Sequence, residues 1–91
     1  MIVIIYSPNQ KISYTQCTMI KGYGKTGQFV LLPNHENFIT LLTRGKIYIK
    51  QFNITNIIRI VDYSIVQYIL KNNVCQIITP YCFIKCTKTP L

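Results

Sequence analysis

Three groups of residues in this 91-residue chain have the types and spacing to do chemistry. His35 and Glu36 place a base beside an acid. General acid–base catalysis also needs a positioned nucleophile and a group that orients the base, and nothing around His35 supplies either. A structural or interface role for His35 follows. Glu36 and Asp62 are the only carboxylates, and they fall in separate turns, so they do not make a catalytic pair. Gly22-Tyr23-Gly24-Lys25-Thr26-Gly27 looks superficially like a phosphate loop. It lacks the first glycine of the Gly-x-x-x-x-Gly-Lys-Ser/Thr spacing, and a strand follows it, not a helix. Cys17, Cys75, Cys82 and Cys86 are even in number, but a disulfide framework needs a secretory context and none is visible. A metal site would need two ligands beyond Cys82 and Cys86 at compatible spacing. The cysteines read as reduced, largely buried thiols. No catalytic residue, metal or cofactor is expected.

Charge is the second signal. Ten basic residues, eight of them lysine, face two acidic ones and give a net charge of +8. Such a surface suits nucleic acid, an anionic membrane or an acidic partner. The lysines are scattered, however. Isoleucine, lysine, asparagine and tyrosine share A/T-rich codons and alanine is absent, so an AT-rich genome produces the same balance. Seven tyrosines, at 6, 14, 23, 48, 63, 68 and 81, interleave with the lysines. On a small β-barrel they would offer a stacking surface for RNA, with Lys46, Tyr48 and Lys50 on one strand face. A small basic RNA-binding protein of an organellar or bacterial ribosome is therefore the competing function.

The elements that must position these residues are strands. The chain is long enough for one domain, 1–91, and for one core. β-branched and aromatic residues dominate, and turn signals recur every 8–12 residues with no helix-period segment. Strands are expected at Ile2 to Tyr6, Lys11 to Tyr14, Gln16 to Tyr23, Gln28 to Leu32, Phe38 to Leu42, Lys46 to Lys50, Ile57 to Val61, Ser64 to Leu70 and Val74 to Thr79. Tyr81-Cys82-Phe83-Ile84 would add an edge strand. In Gln16 to Tyr23, alternation puts Cys17 and Met19 on one face and Thr18 and Ile20 on the other. Turns are expected at Ser7 to Gln10, Gly24 to Gly27, Thr43-Arg44-Gly45 (a hairpin), Asn53 to Asn56 and Lys71 to Asn73. Pro33 stops one strand because it cannot donate to a ladder, and Asn34 tolerates the positive φ that reverses the chain. No apolar run approaches the ~18 residues that span a bilayer. No signal or transit segment is apparent, so an organellar protein of this kind would be made in the organelle.

The stretch from Gly24 to Gly45 resembles the epsilon subunit of F-type ATP synthases, called delta in mitochondria. That family's signature runs Gly-acidic-x-Gly-x-Leu-Pro-Gly-His and continues into a Leu-Leu-Thr-rich strand. Gly24 and Gly27 match the loop glycines, Leu32-Pro33-Asn34-His35 the corner, Thr40 the strand threonine and Arg44-Gly45 a Pro-Gly turn. Ser7-Pro8 resembles the turn after the first strand, and Asn73 to Thr79 a later strand. Val30 replaces the second signature glycine, Gln28 a commonly acidic residue, and Asp62-Tyr63-Ser64 a Ser-Gly-Gly. The resemblance implies an all-β, two-layer β-sandwich of about nine to ten short strands, without the family's C-terminal helical hairpin and without its nucleotide binding. It implies a non-catalytic rotor subunit of the central stalk that couples the gamma shaft to the c-ring. Ser7, His35 and Thr40 would face gamma, and Lys25, Thr26 and Gln28 the c-ring. Gly24, Gly27, Pro33, Asn34 and Gly45 would shape the corners. A small mitochondrial epsilon subunit would pack beside the tail from Pro80 onward. No direct nucleic-acid contact is implied, and membrane contact only through the complex. The implied location is the matrix side of the mitochondrial inner membrane, or the cytoplasmic face of a bacterial inner membrane.

Overall fold

The structure is a computed structural model that describes residues 1–80 and the backbone of strand residues 84–90. Ten strands follow in order: β1 (Ile2–Ser7), β2 (Gln10–Tyr14), β3 (Met19–Gly24), β4 (Gly27–Leu31), β5 (Phe38–Leu42), β6 (Gly45–Gln51), β7 (Ile54–Ile60), β8 (Ser64–Ile69), β9 (Val74–Ile78) and β10 (Ile84–Pro90). A 3-10 turn at Leu70–Asn72 joins β8 to β9, closed by Asn73 in the left-handed region.

Hydrogen bonding links all ten strands into one sheet, but the register divides it in two. One layer runs β10-β7-β6-β3-β4 and the other β5-β8-β9-β1-β2. Among the described strand pairings, a single rung joins them, Gly24 opposite Leu42. A turn bond from the Lys25 N–H to the Leu41 carbonyl, 2.8 Å, reinforces that rung. The sheet thus folds over on itself as a sandwich of two five-stranded layers. All pairings are antiparallel except β1 with β9.

The core follows from alternation. Side chains one residue apart along a strand point to opposite faces. Val3 and Ile5, Ile47 and Ile49, Ile58 and Ile60, Val66 and Tyr68, and Cys75 and Ile77 all turn inward into one buried cluster, with Ile20, Leu31 and Leu42. Dispersion contacts and area removed from water across this interface hold the layers together, at about 1.5–3 kcal/mol per fully buried large side chain.

Three local expectations are corrected. The strand placed at Gln16 to Tyr23 begins only at Met19, because Gln16 has a φ of 53° and breaks the extended chain. Cys17 and Ile20 are consequently both buried, where strict alternation had put them on opposite faces. Thr43-Arg44-Gly45 is not a hairpin turn. β5 pairs with β8 and β6 with β7, so these residues carry the chain from one layer to the other. The turn placed at Asn53 to Asn56 is the two-residue Phe52-Asn53 link, since Gln51 lies opposite Ile54. Asn56 instead sits in β7 with 1% exposure. Its amide NH₂ donates to the Gln51 side-chain oxygen at 2.9 Å, which offsets part of the cost of burial, while its Oδ1 is buried without a partner among the described residues. Tyr81, Cys82 and Phe83 of the expected edge strand lie outside the described residues; β10 starts at Ile84 and pairs with β7.

Candidate functional site

The Pro33-Asn34-His35 corner carries β4 of one layer into β5 of the other. Asn34 has a φ of 69°, and the His35 N–H returns to the Leu32 carbonyl at 3.1 Å. A buried tyrosine anchors it. Tyr68, 1% exposed, accepts the Asn34 N–H at 3.0 Å and donates its own O–H to the Asn73 side-chain oxygen at 2.6 Å. The Asn37 side-chain oxygen accepts the Leu70 N–H at 2.9 Å. The corner is therefore bonded to the β8–β9 turn at two points. Rings close the gap: Phe29 meets Phe38 at 5.5 Å, and His35 stands edge-on to Phe38 at 5.8 Å and to Tyr68 at 6.3 Å. His35 Nδ1 lies 2.7 Å from the Glu36 carbonyl oxygen. A carbonyl only accepts, so Nδ1 carries the proton. His35 is a packing residue of the corner, with no nucleophile among its described partners.

The register does not bring the expected gamma-facing residues together. Ser7 ends β1, opposite Gln10, and its hydroxyl donates to the Gln10 carbonyl at 3.3 Å. His35 lies beyond the start of β5, by Tyr68, at the other end of the layer. Thr40 lies between them, opposite Val66 on the inward side. The expected ring-facing residues do cluster: Lys25 and Thr26 form the tip of the β3–β4 hairpin and Gln28 is in its first turn of strand, opposite Tyr23. Gly27 there has a φ of 118°, a conformation that glycine adopts without a Cβ clash.

What the sequence reading missed is the outer face of the β5-β8-β9-β1-β2 layer. Leu41, Ile65, Ile78 and Tyr6 are consecutive cross-strand partners, and the three aliphatic ones are exposed. Ile39, 66% exposed, adjoins Leu41 on the same face of β5, whereas the cross-strand pair Gln67 and Gln76 separates this row from Ile2. The signal was present in the near-continuous apolar runs of β1, β8 and β9, which fit strands covered on both faces. The opposite layer differs. Its outer face carries Lys21, Lys46, Tyr48, Lys50 and Arg59, the last opposite Lys46. One outer face thus carries an apolar row, bounded by Gln67, Gln76 and Lys11, and the other is basic. Among the described residues, no three His, Cys, Asp or Glu side chains gather into a metal-binding group, and no helix is long and apolar enough to cross a membrane.

Comparison with known proteins agrees with this architecture. Residues 1–81 match the family model described as the ATP synthase delta/epsilon chain, beta-sandwich domain. The chain is 29% identical over 77 residues to the ATP synthase epsilon chain of Wolbachia pipientis wMel, covering 85% of this chain and 66% of that one. Its fold superposes on a chain of the Tetrahymena thermophila mitochondrial ATP synthase central stalk and c-ring structure with a TM-score of 0.76 at 13% identity, covering 92% of this chain and 65% of that one. A chain of the Euglena gracilis mitochondrial ATP synthase structure of OSCP, F1 and c-ring gives a TM-score of 0.73 at 14% identity, covering 97% and 51%. This chain therefore spans about two thirds or less of the length of these relatives.

Proposed function

Because the chain belongs to the delta/epsilon β-sandwich family of ATP synthases, we propose that it is a non-catalytic subunit of the central stalk, coupling the gamma shaft to the c-ring. The observation that carries this reading is the uncovered apolar row Leu41, Ile65 and Ile78 with Ile39 beside it. A row of exposed aliphatic side chains on one sheet face marks a surface that a partner covers. Ser7 and Thr40 border the end and edge of that layer, and His35 holds its far corner. The Lys25-Thr26 hairpin, with Gln28, projects from the end of the sandwich and meets the polar loops of the ring. The small mitochondrial subunit would lie beside the strand after Pro80. Placement on the matrix side of the mitochondrial inner membrane follows from membership in such a complex, as does the equivalent cytoplasmic face in a bacterium.

Torque transfer needs a coupler that deforms little, and interiors packed to crystal-like density meet that need. The test is affinity purification of the tagged full chain from its native source. Gamma and c subunits in stoichiometric amounts support the reading. Ribosomal RNA and ribosomal proteins in their place would favour the alternative, in which the basic Lys46, Tyr48 and Lys50 side stacks and neutralises RNA. Lys25→Glu is expected to weaken ring retention at low salt, where exposed charges act at longer range. Retention equal to wild type across the salt series would remove the ring contact from the proposal.

A further inference from the structure

The end of the sandwich that holds the Lys25–Thr26 hairpin carries a second feature that the stalk reading does not use. Lys46 and Arg59 are direct cross-strand partners in β6 and β7. Both are exposed, and like charges placed opposite each other destabilise a sheet. Arg44, just before β6, lines the same concavity of about 470 Å³ with Gly45, Ile60 and Val61. No described ion pair neutralises any of the three cations. The chain holds only two carboxylate side chains. Asp62 lines the adjoining concavity with Arg44, but it accepts the Tyr63 N–H at 2.7 Å and forms no ion pair with Arg44. Glu36 belongs to the corner at the opposite end. Three cations with no ion-pair partner among the described residues therefore converge on one hollow, two of them held together by backbone pairing in spite of their repulsion. Guanidinium groups bind phosphate oxygens through paired donors, and a lysine ammonium adds a point charge.

We propose that Arg44, Lys46 and Arg59 form a binding site for a phosphate group. The site sits on a rigid two-strand platform, and the ligand offsets the repulsion between Lys46 and Arg59. The same chemistry is offered by free phosphate and by the headgroup of an anionic phospholipid. The proposal stands apart from the stalk assignment, because the site is complete within this chain.

The experiment is an amide and arginine side-chain NMR titration of the full chain with inorganic phosphate against chloride at matched ionic strength. Saturable shifts confined to residues 44–46 and 59–61 are expected. Lys46→Gln with Arg59→Gln should weaken the interaction at least tenfold, whereas Lys71→Gln, at the other end of the sandwich, should leave it unchanged. Lys46→Glu serves as a second variant. It places opposite charges across the strands, so it should fold at least as stably as wild type and still lose the phosphate response. Co-sedimentation with phosphatidylcholine vesicles, with and without phosphatidylglycerol, identifies the source. Saturable binding to anionic vesicles that Lys46→Glu abolishes assigns the site to a lipid headgroup, and a response to inorganic phosphate alone assigns it to a free phosphate. Scattered, unsaturating shifts without vesicle binding, or a response kept in Lys46→Glu, would overturn the site.

Discussion

Tyr68 shows how one hydroxyl organises a corner. It satisfies a backbone donor at Asn34 and a side-chain acceptor at Asn73 at once. Tyr68→Phe keeps the ring and its contact with His35 but leaves both partners short of a bond. The expected cost is about 1–3 kcal/mol, read as a lower denaturation midpoint with an unchanged denaturant slope. A second residue sets the alkaline limit. Loss of solvation, with Cys17 nearby adding to it, pushes the Cys75 thiol from 9.0 up to about 12. The unfolded chain ionises this thiol at its ordinary value, whereas the folded chain keeps it neutral. Stability is therefore complete below the unfolded value and is lost as the pH climbs from about 9 toward about 12. Thermal melts over that range should fall, and Cys75→Ala should fall less steeply. Burial raises Cys17 and Tyr14 as well, so part of the slope should remain. None of this was legible in the sequence beyond the guess that the thiols are buried. One of the two partners of the Tyr68 hydroxyl, the Asn34 N–H, lies 34 residues away, and local pattern carries no information about it.

The strands were legible where alternation is strict and turns are short. Lys46 to Lys50 is the clearest case, with Ile47 and Ile49 inward. The assignment of strands to layers was not legible, because it depends on pairing between distant segments. The Thr43-Arg44 link reads as a hairpin locally and becomes a crossing only once β5 has chosen β8 and β6 has chosen β7. That crossing depends on close approach at Gly24. A Cβ there would meet the Thr40 hydroxyl oxygen at 2.7 Å and the Leu41 carbonyl oxygen at 3.3 Å. Gly24→Ala should destabilise by about 1–3 kcal/mol through overpacking. Thr40→Ala in the same chain should recover part of that loss, and a double-mutant cycle measures the coupling. Equal costs with and without the Thr40 change would show that the Thr40 contact is not the source of the strain.

At the scale of the whole molecule the two sides of the sandwich divide the labour. The apolar side was hidden from sequence reading because exposed and buried isoleucines look the same in a strand until the second layer is in place. Ile65→Asp and Ile39→Asp should leave the isolated chain folded, because both side chains already face water. They should abolish co-purification with gamma. A loss of folding equal to the loss of assembly would instead place these residues in the core. The net charge of +8 opposes self-association through the uncovered apolar row.

The lone rung between Gly24 and Leu42 has a mechanical consequence. Within each layer, backbone ladders resist shear along the strands; across the seam, beside that rung, the Lys25–Leu41 bond and the chain crossings, resistance rests on interdigitated core side chains. Under a twisting load, the molecule should yield first by one layer gliding over the other with every ladder intact. Resistance to slip in such a coupler would then be set by the fit of Ile47, Ile58, Val66 and Ile77 against one another, and trimming those side chains should soften the molecule well before it unfolds.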